Sequence, residues 1–118
     1  MLKPIAAALL ALAATQVSPA PAWAATPQFC VTNSSATIIR SRFSYLSAGQ
    51  RYQSGWVTSA AGQQNCVRLQ DVSEMEFQVD VNDFTWKSIC RSKAPRPLES
   101  AVLNVTGTAF GVQCNLLQ

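Results

Sequence analysis

Glu74, Glu76 and Asp80 form the one carboxylate cluster in the 118-residue chain that could supply the paired acid and base of a reaction such as glycoside cleavage. They alternate with Met75, Phe77, Val79 and Val81. That is the period of a strand with one apolar face, so the carboxylates belong to the solvent side. In water they keep ordinary acidity and make poor general acids. Histidine is absent from the sequence, which excludes Ser-His-Asp and Cys-His nucleophile systems, histidine acid–base catalysis and histidine-bound zinc. There is no glycine-rich phosphate loop. The expectation is a protein that is not an enzyme, with no catalytic residue, metal or cofactor to assign.

Two stretches could instead bind something. KSICRSKAPRPLE, Lys87 to Glu99, carries Lys87, Arg91, Lys93 and Arg96 with Pro95 and Pro97. Read as a stiffened, extended loop beside a cysteine, it could fill a partner's groove at low ordering cost. A hydrolase inhibitor of the protease type, with Lys93-Ala94 as the bait bond, is the alternative function this suggests; contact with an anionic surface is another, and an ordinary solvated loop a third. In YQSGWVTSAAGQQNC, Tyr52 and Trp56 stand four residues apart, on one face of a strand. An exposed pair could stack on a sugar or pack on a partner, and core packing competes with that role.

The compartment decides what the cysteines mean. The chain opens with Lys3, an apolar run from Ile5 to Ala14 and the small-residue pattern Ala22-Trp23-Ala24, the layout of a cleaved secretory signal over residues 1–24 with a bacterial, alanine-rich character. The run is about ten residues, half of what a spanning helix needs, and no later segment replaces it. A single domain over residues 25–118, secreted or periplasmic, is the expectation. About 94 residues make a marginal core, so cross-links are expected to help. Cys30, Cys66, Cys90 and Cys114 are an even set, spaced 36, 24 and 24 residues apart with no C-x-x-C, which favours two disulfides over a metal site. Eight bases against six acids in this part give no general case for nucleic-acid binding.

The elements that must position these residues are short alternating runs separated by turn residues, the signature of an all-β antiparallel sandwich or barrel of about eight strands. Strands are predicted at about 28–33, 36–46, 52–58, 65–70, 74–81, 84–91, 100–106 and 109–117. A two-residue Asn82-Asp83 turn would pair Val81 with Phe84, Val79 with Trp86 and Met75 with Cys90 on a core face. Gln78 and Lys87, and Glu74 and Arg91, would then pair on the outside. Trp86 reads as a core residue. Cys90 and Cys114 share faces with inward apolar residues, whereas Cys30 and Cys66 lie opposite theirs. Three connectivities are open to four cysteines, and like faces favour Cys30–Cys66 with Cys90–Cys114.

The residues FCVTNSSATI and SGWVTSAAGQQNC place a first-strand cysteine near Asn and Ser/Thr, a Gly-Trp pair, a glycine turn and a second cysteine. Over residues 29–66 this resembles small secreted bacterial β-proteins of a domain-of-unknown-function family. The resemblance implies secretion, a β-fold and a Cys30–Cys66 bridge, and no activity. Together these readings point to a non-enzymatic binding or structural module. Its partner would be an unknown protein or an envelope or extracellular polymer, met through Arg91, Lys93 and Arg96 or through Tyr52 and Trp56. Asn33 and Asn104 match the N-glycosylation pattern.

Overall fold

The computed structural model describes residues 26–96, 98–108 and 110–118. The expected signal segment lies outside the described residues. Among them there are nine strands and no helix: β1 (Gln28–Asn33), β2 (Ile39–Ser47), β3 (Gln50–Gln53), β4 (Val57–Ser59), β5 (Gln64–Arg68), β6 (Glu74–Asp83), β7 (Thr85–Lys93), β8 (Ala101–Thr108) and β9 (Gly111–Leu117). The 52–58 segment expected as one strand is two, because the chain leaves the sheet at Ser54-Gly55-Trp56.

The strands form two sheets, one ordered β5-β1-β8-β9 and the other β3-β2-β6-β7, with β4 also pairing β2. All pairs are antiparallel except β1 with β8. The alternation seen in the sequence delivers one apolar face from each sheet: Phe29, Val31, Leu103 and Val105 from the first, Ile39, Phe43, Met75, Phe77 and Val79 from the second, all buried. Phe77 lies edge-on to both Phe29 and Phe43, with ring centroids 6.2 and 5.8 Å away, the aromatic geometry that adds to burial alone. The result is an all-β, sandwich-like fold.

Both disulfides pair as the strand faces suggest. Cys30 and Cys66 are direct cross-strand neighbours of β1 and β5, on the outer side of their sheet, with Cα atoms 4.1 Å apart. Cys90 and Cys114 join β7 to β9 across the sandwich.

The β6–β7 hairpin departs from the expected register. Asp83 pairs with Thr85, so Phe84 alone makes the turn, with φ at 64°. Asn82 then faces Trp86, and Val81 faces Lys87. A bulge at Ile89 restores Cys90 to the inward side opposite Val79, while Gln78 faces Arg91 and Glu76 faces Lys93. Trp86 therefore lies on the outer face rather than in the core. The basic segment is corrected too: Lys87 to Lys93 belong to β7, not to a loop, and Ala94 is buried with its N–H donated to the Met75 carbonyl at 2.9 Å. The Lys93-Ala94 peptide is thus held on the sheet, without the free loop that a bait bond needs.

Candidate functional site

One end of the sandwich gathers four turns. β1 runs into it and β2 leaves it through the 34–38 loop, whose Ala36 N–H bonds to Gly107 O at 3.0 Å. The same loop's Ile38 carbonyl accepts from Asn82 N at 3.1 Å. These two bonds place the tips of the β8–β9 and β6–β7 hairpins, one from each sheet, on either side of a single loop. Asn33 fastens the base of this end. Its amide nitrogen donates to the carbonyls of Thr37 and Ser59 at 2.8 and 3.0 Å, its Oδ1 accepts from Ser35, and its backbone bonds the 60–63 turn through Gly62 and Gln63. Asn33 is fully buried, so its glycosylation pattern is spent on structure.

At the tips stand Phe84 and Phe110, with relative exposures of 102% and 101%, and Ile38 between them is 47% exposed. No other large apolar side chain among the described residues is as open as the two phenylalanines. Phe84 adds a backbone cost, since positive φ suits Gly, Asn or Asp and is unusual for a bulky side chain. The two-residue turn expected from the sequence places Phe84 on the core face, and the observed turn does not. The signal available was its position after Asn-Asp, where one more turn residue was as acceptable as a strand start.

The second feature is the outer face of the five-stranded sheet. Arg40 and Arg42 project from β2 on one side, two residues and thus about 7 Å apart. Trp56 lies against both, with the two guanidinium carbons 4.2 and 4.3 Å from its ring centroid. Arg40 also covers Trp86 at 4.8 Å and is paired with Asp80 at 2.8 Å. Trp86, Arg40, Trp56 and Arg42 thus form one cation–π cluster, in which Trp56 is engaged by both arginines. Arg42 donates its Nε to Gln78 at 2.7 Å, and Gln78 in turn donates to Glu76 at 2.8 Å.

The expected Tyr52–Trp56 pair does not form. The break at Ser54-Gly55 turns Trp56 to the outer face, while Tyr52 stacks on Tyr45 on the opposite side, with centroids 5.6 Å apart. Arg91, Lys93 and Arg96 do share the outer face with the cluster. Arg91 is 4.0 Å from Glu76, and Arg96 is 3.4 Å from Glu74. Lys93 and Arg96 line a shallow pocket of about 220 Å³ with Glu74, Met75 and Ala94, at the end of the sandwich away from the phenylalanines. Glu74 accepts from Arg51 at 2.9 Å. That bond, with Lys93, Arg51 and Arg96 nearby, holds its carboxyl below the usual carboxylate range against a smaller opposing effect of burial.

No family model matches this chain, and no curated protein does. Solved structures do match in fold. The membrane-binding domain of pneumolysin superposes with a TM-score of 0.61 at 9% identity, covering 79% of this chain and 96% of that domain. A Gram-negative toxin gives 0.62 at 9% identity, over 78% of this chain and 23% of its own. Suilysin from Streptococcus suis, a cytotoxin, gives 0.61 at 9% identity, over 79% and 23%. The chain spans under a quarter of these two toxins and nearly the whole of the isolated pneumolysin domain, so what it shares with them is the fold of one β-domain, here braced by two disulfides.

Proposed function

We propose that this protein is a non-enzymatic, secreted or periplasmic binding module that attaches by its loop end to a lipid surface. The observation that carries the reading is the pair of fully exposed phenylalanines on adjacent hairpin tips, one of them held at positive φ. Exposed aromatics in a left-handed turn are costly to keep unless something covers them. The fold is also that of a domain described as membrane-binding in pneumolysin, which supports the choice of a bilayer over a protein groove. No helix among the described residues is long and apolar enough to cross a membrane; the proposed attachment is by the Phe84 and Phe110 side chains at the surface. Covering two phenylalanines is worth about 3–6 kcal/mol, which corresponds to dissociation constants of roughly millimolar to tens of micromolar. The attachment is therefore reversible.

Co-sedimentation of the oxidised protein with vesicles tests this. Binding is expected for wild type and is expected to be lost in Phe84→Ser/Phe110→Ser with an unchanged melting curve. Equal sedimentation of the two proteins would overturn the reading.

A further inference from the structure

We propose a second, separate binding surface: the outer face of the five-stranded sheet takes an acidic polysaccharide. Of the eight bases and six acids between residues 26 and 118, this face carries Arg40, Arg42, Arg51, Arg91, Lys93 and Arg96 against only Glu74, Glu76 and Asp80. The rest of the domain is left with a slight acidic balance.

The excess is not spread evenly. Asp80 is used by Arg40, Glu76 lies nearest Arg91, and Glu74 is shared by Arg51 and Arg96. Arg42 and Lys93 have no carboxylate within ion-pair distance among the described residues. Arg42 is the more telling of the two. Its guanidinium is fixed by Trp56 on one side and by Gln78 at Nε, and its two terminal nitrogens donate to no other described residue. A half-buried, oriented and uncompensated guanidinium fork is a ready donor pair for a carboxylate or sulfate.

The layout selects among anionic polymers. Arg40 and Arg42 form one row, Arg91 and Lys93 a second, each with spacings of about 7 Å, and the rows lie about 10 Å apart across β6. Thr58 and Ser88, exposed on the same face beside Arg40 and Asp80, offer hydroxyls suited to a sugar. Single-stranded nucleic acid needs a series of free aromatic faces for its bases, whereas the two indoles on this face, Trp56 and Trp86, are both already engaged by arginines. Of the large exposed apolar side chains, Tyr52, Val57 and Leu117 lie off this face and Ile38 reaches it only at its loop end, away from Arg91 and Lys93, so a bilayer gains little among these bases beyond charge. A chain of acidic sugars matches the oxyanion donors, the hydroxyls and the open, flat shape together.

The test is binding of the oxidised protein to heparin and to polygalacturonate at low salt, with neutral dextran as the blank. Arg42→Gln/Arg91→Gln/Lys93→Gln is expected to weaken binding about tenfold or more, with a shallower dependence on salt. Arg68→Gln/Lys87→Gln, which removes two bases from elsewhere, should leave it unchanged. Should the triple variant fail to fold, the exposed pair Arg91→Gln/Lys93→Gln alone is expected to lower affinity severalfold. Phe84→Ser/Phe110→Ser should bind polysaccharide as wild type does, which separates this surface from the lipid-contacting end. Lack of binding to both acidic polymers, equal losses in the two charge-removal variants, or tighter binding to single-stranded DNA or to anionic vesicles through these same bases would overturn the proposal.

Discussion

Cys90 and Cys114, 24 residues apart in the chain and 6.5 Å apart at Cα, tie the outermost strands of the two sheets together along one side of the sandwich. No ladder of backbone hydrogen bonds joins β7 to β9, so this bond is the covalent link between the sheets on that side. By the chain-entropy relation a loop of this length is worth about 3–4 kcal/mol. Cys90→Ser/Cys114→Ser is expected to lower the free energy of unfolding in urea by about that amount while leaving the strand content seen by circular dichroism in place.

Gly107 stands at φ 110°, and a Cβ there would run into the Gly111 carbonyl across the hairpin. Gly107→Ala should therefore destabilise the domain by more than about 1 kcal/mol. Gly55, with open space around it and no positive φ, is the matched control. Gly55→Ala should leave the unfolding midpoint nearly unchanged. Equal effects of the two substitutions would contradict the turn geometry.

Phe84 makes its turn in a conformation that asparagine adopts readily. Phe84→Asn is expected to raise stability by roughly 0.5–1 kcal/mol while reducing vesicle binding. Thermal melts and co-sedimentation should move in opposite directions for this one substitution.

Glu74 has its carboxyl held below the usual range, chiefly by the bond from Arg51. The unfolded chain takes up this proton first as pH falls, so the stabilising contribution is fully present above the ordinary carboxylate range and disappears as pH drops through the lowered folded value. Its half-exposed setting keeps the contribution small and sensitive to salt. Glu74→Gln should flatten the acid side of a melting-temperature series and leave wild-type and variant curves converging at the lowest pH.

Much of the fold was legible because its core obeys a period of two. Met75, Phe77, Val79 and Val81 alternate cleanly, and the parity of each cysteine against its apolar neighbours was enough to favour the right pairing. What parity cannot give is register. Asn82-Asp83 looks like the favoured two-residue turn, yet the chain adds Phe84, and the bulge at Ile89 shifts the ladder once more. The composition of the strands stays the same, but the turn moves Trp86 to the outer face and the bulge brings Cys90 back to the inner one. The arginine cluster was hidden for a related reason. Arg40 and Arg42 read as plain solvent-side residues of β2, and only the departure of the chain at Gly55 lays Trp56 against both of them. The loop end was obscure because its members, Ile38, Phe84 and Phe110, are 46 and 26 residues apart and are united by two hydrogen bonds to one loop.

The parallel pairing of β1 with β8 has a consequence for how the chain matures. Phe29 lies beside Ala101 and Asn33 beside Val105, partners 72 residues apart. Loop closure over such a distance must be completed before the contacts repay it, which makes folding slow. During synthesis β1 waits with one edge open until nearly the whole chain has emerged. β5 is available much sooner, and in an oxidising compartment Cys30–Cys66 can fasten it to the other edge of β1 before β8 has docked. The two cross-links are thus expected to form in succession. The first shields an unfinished sheet, and the second locks the completed one, so a pulse of oxidant early in refolding should trap a species with Cys90 and Cys114 still reduced.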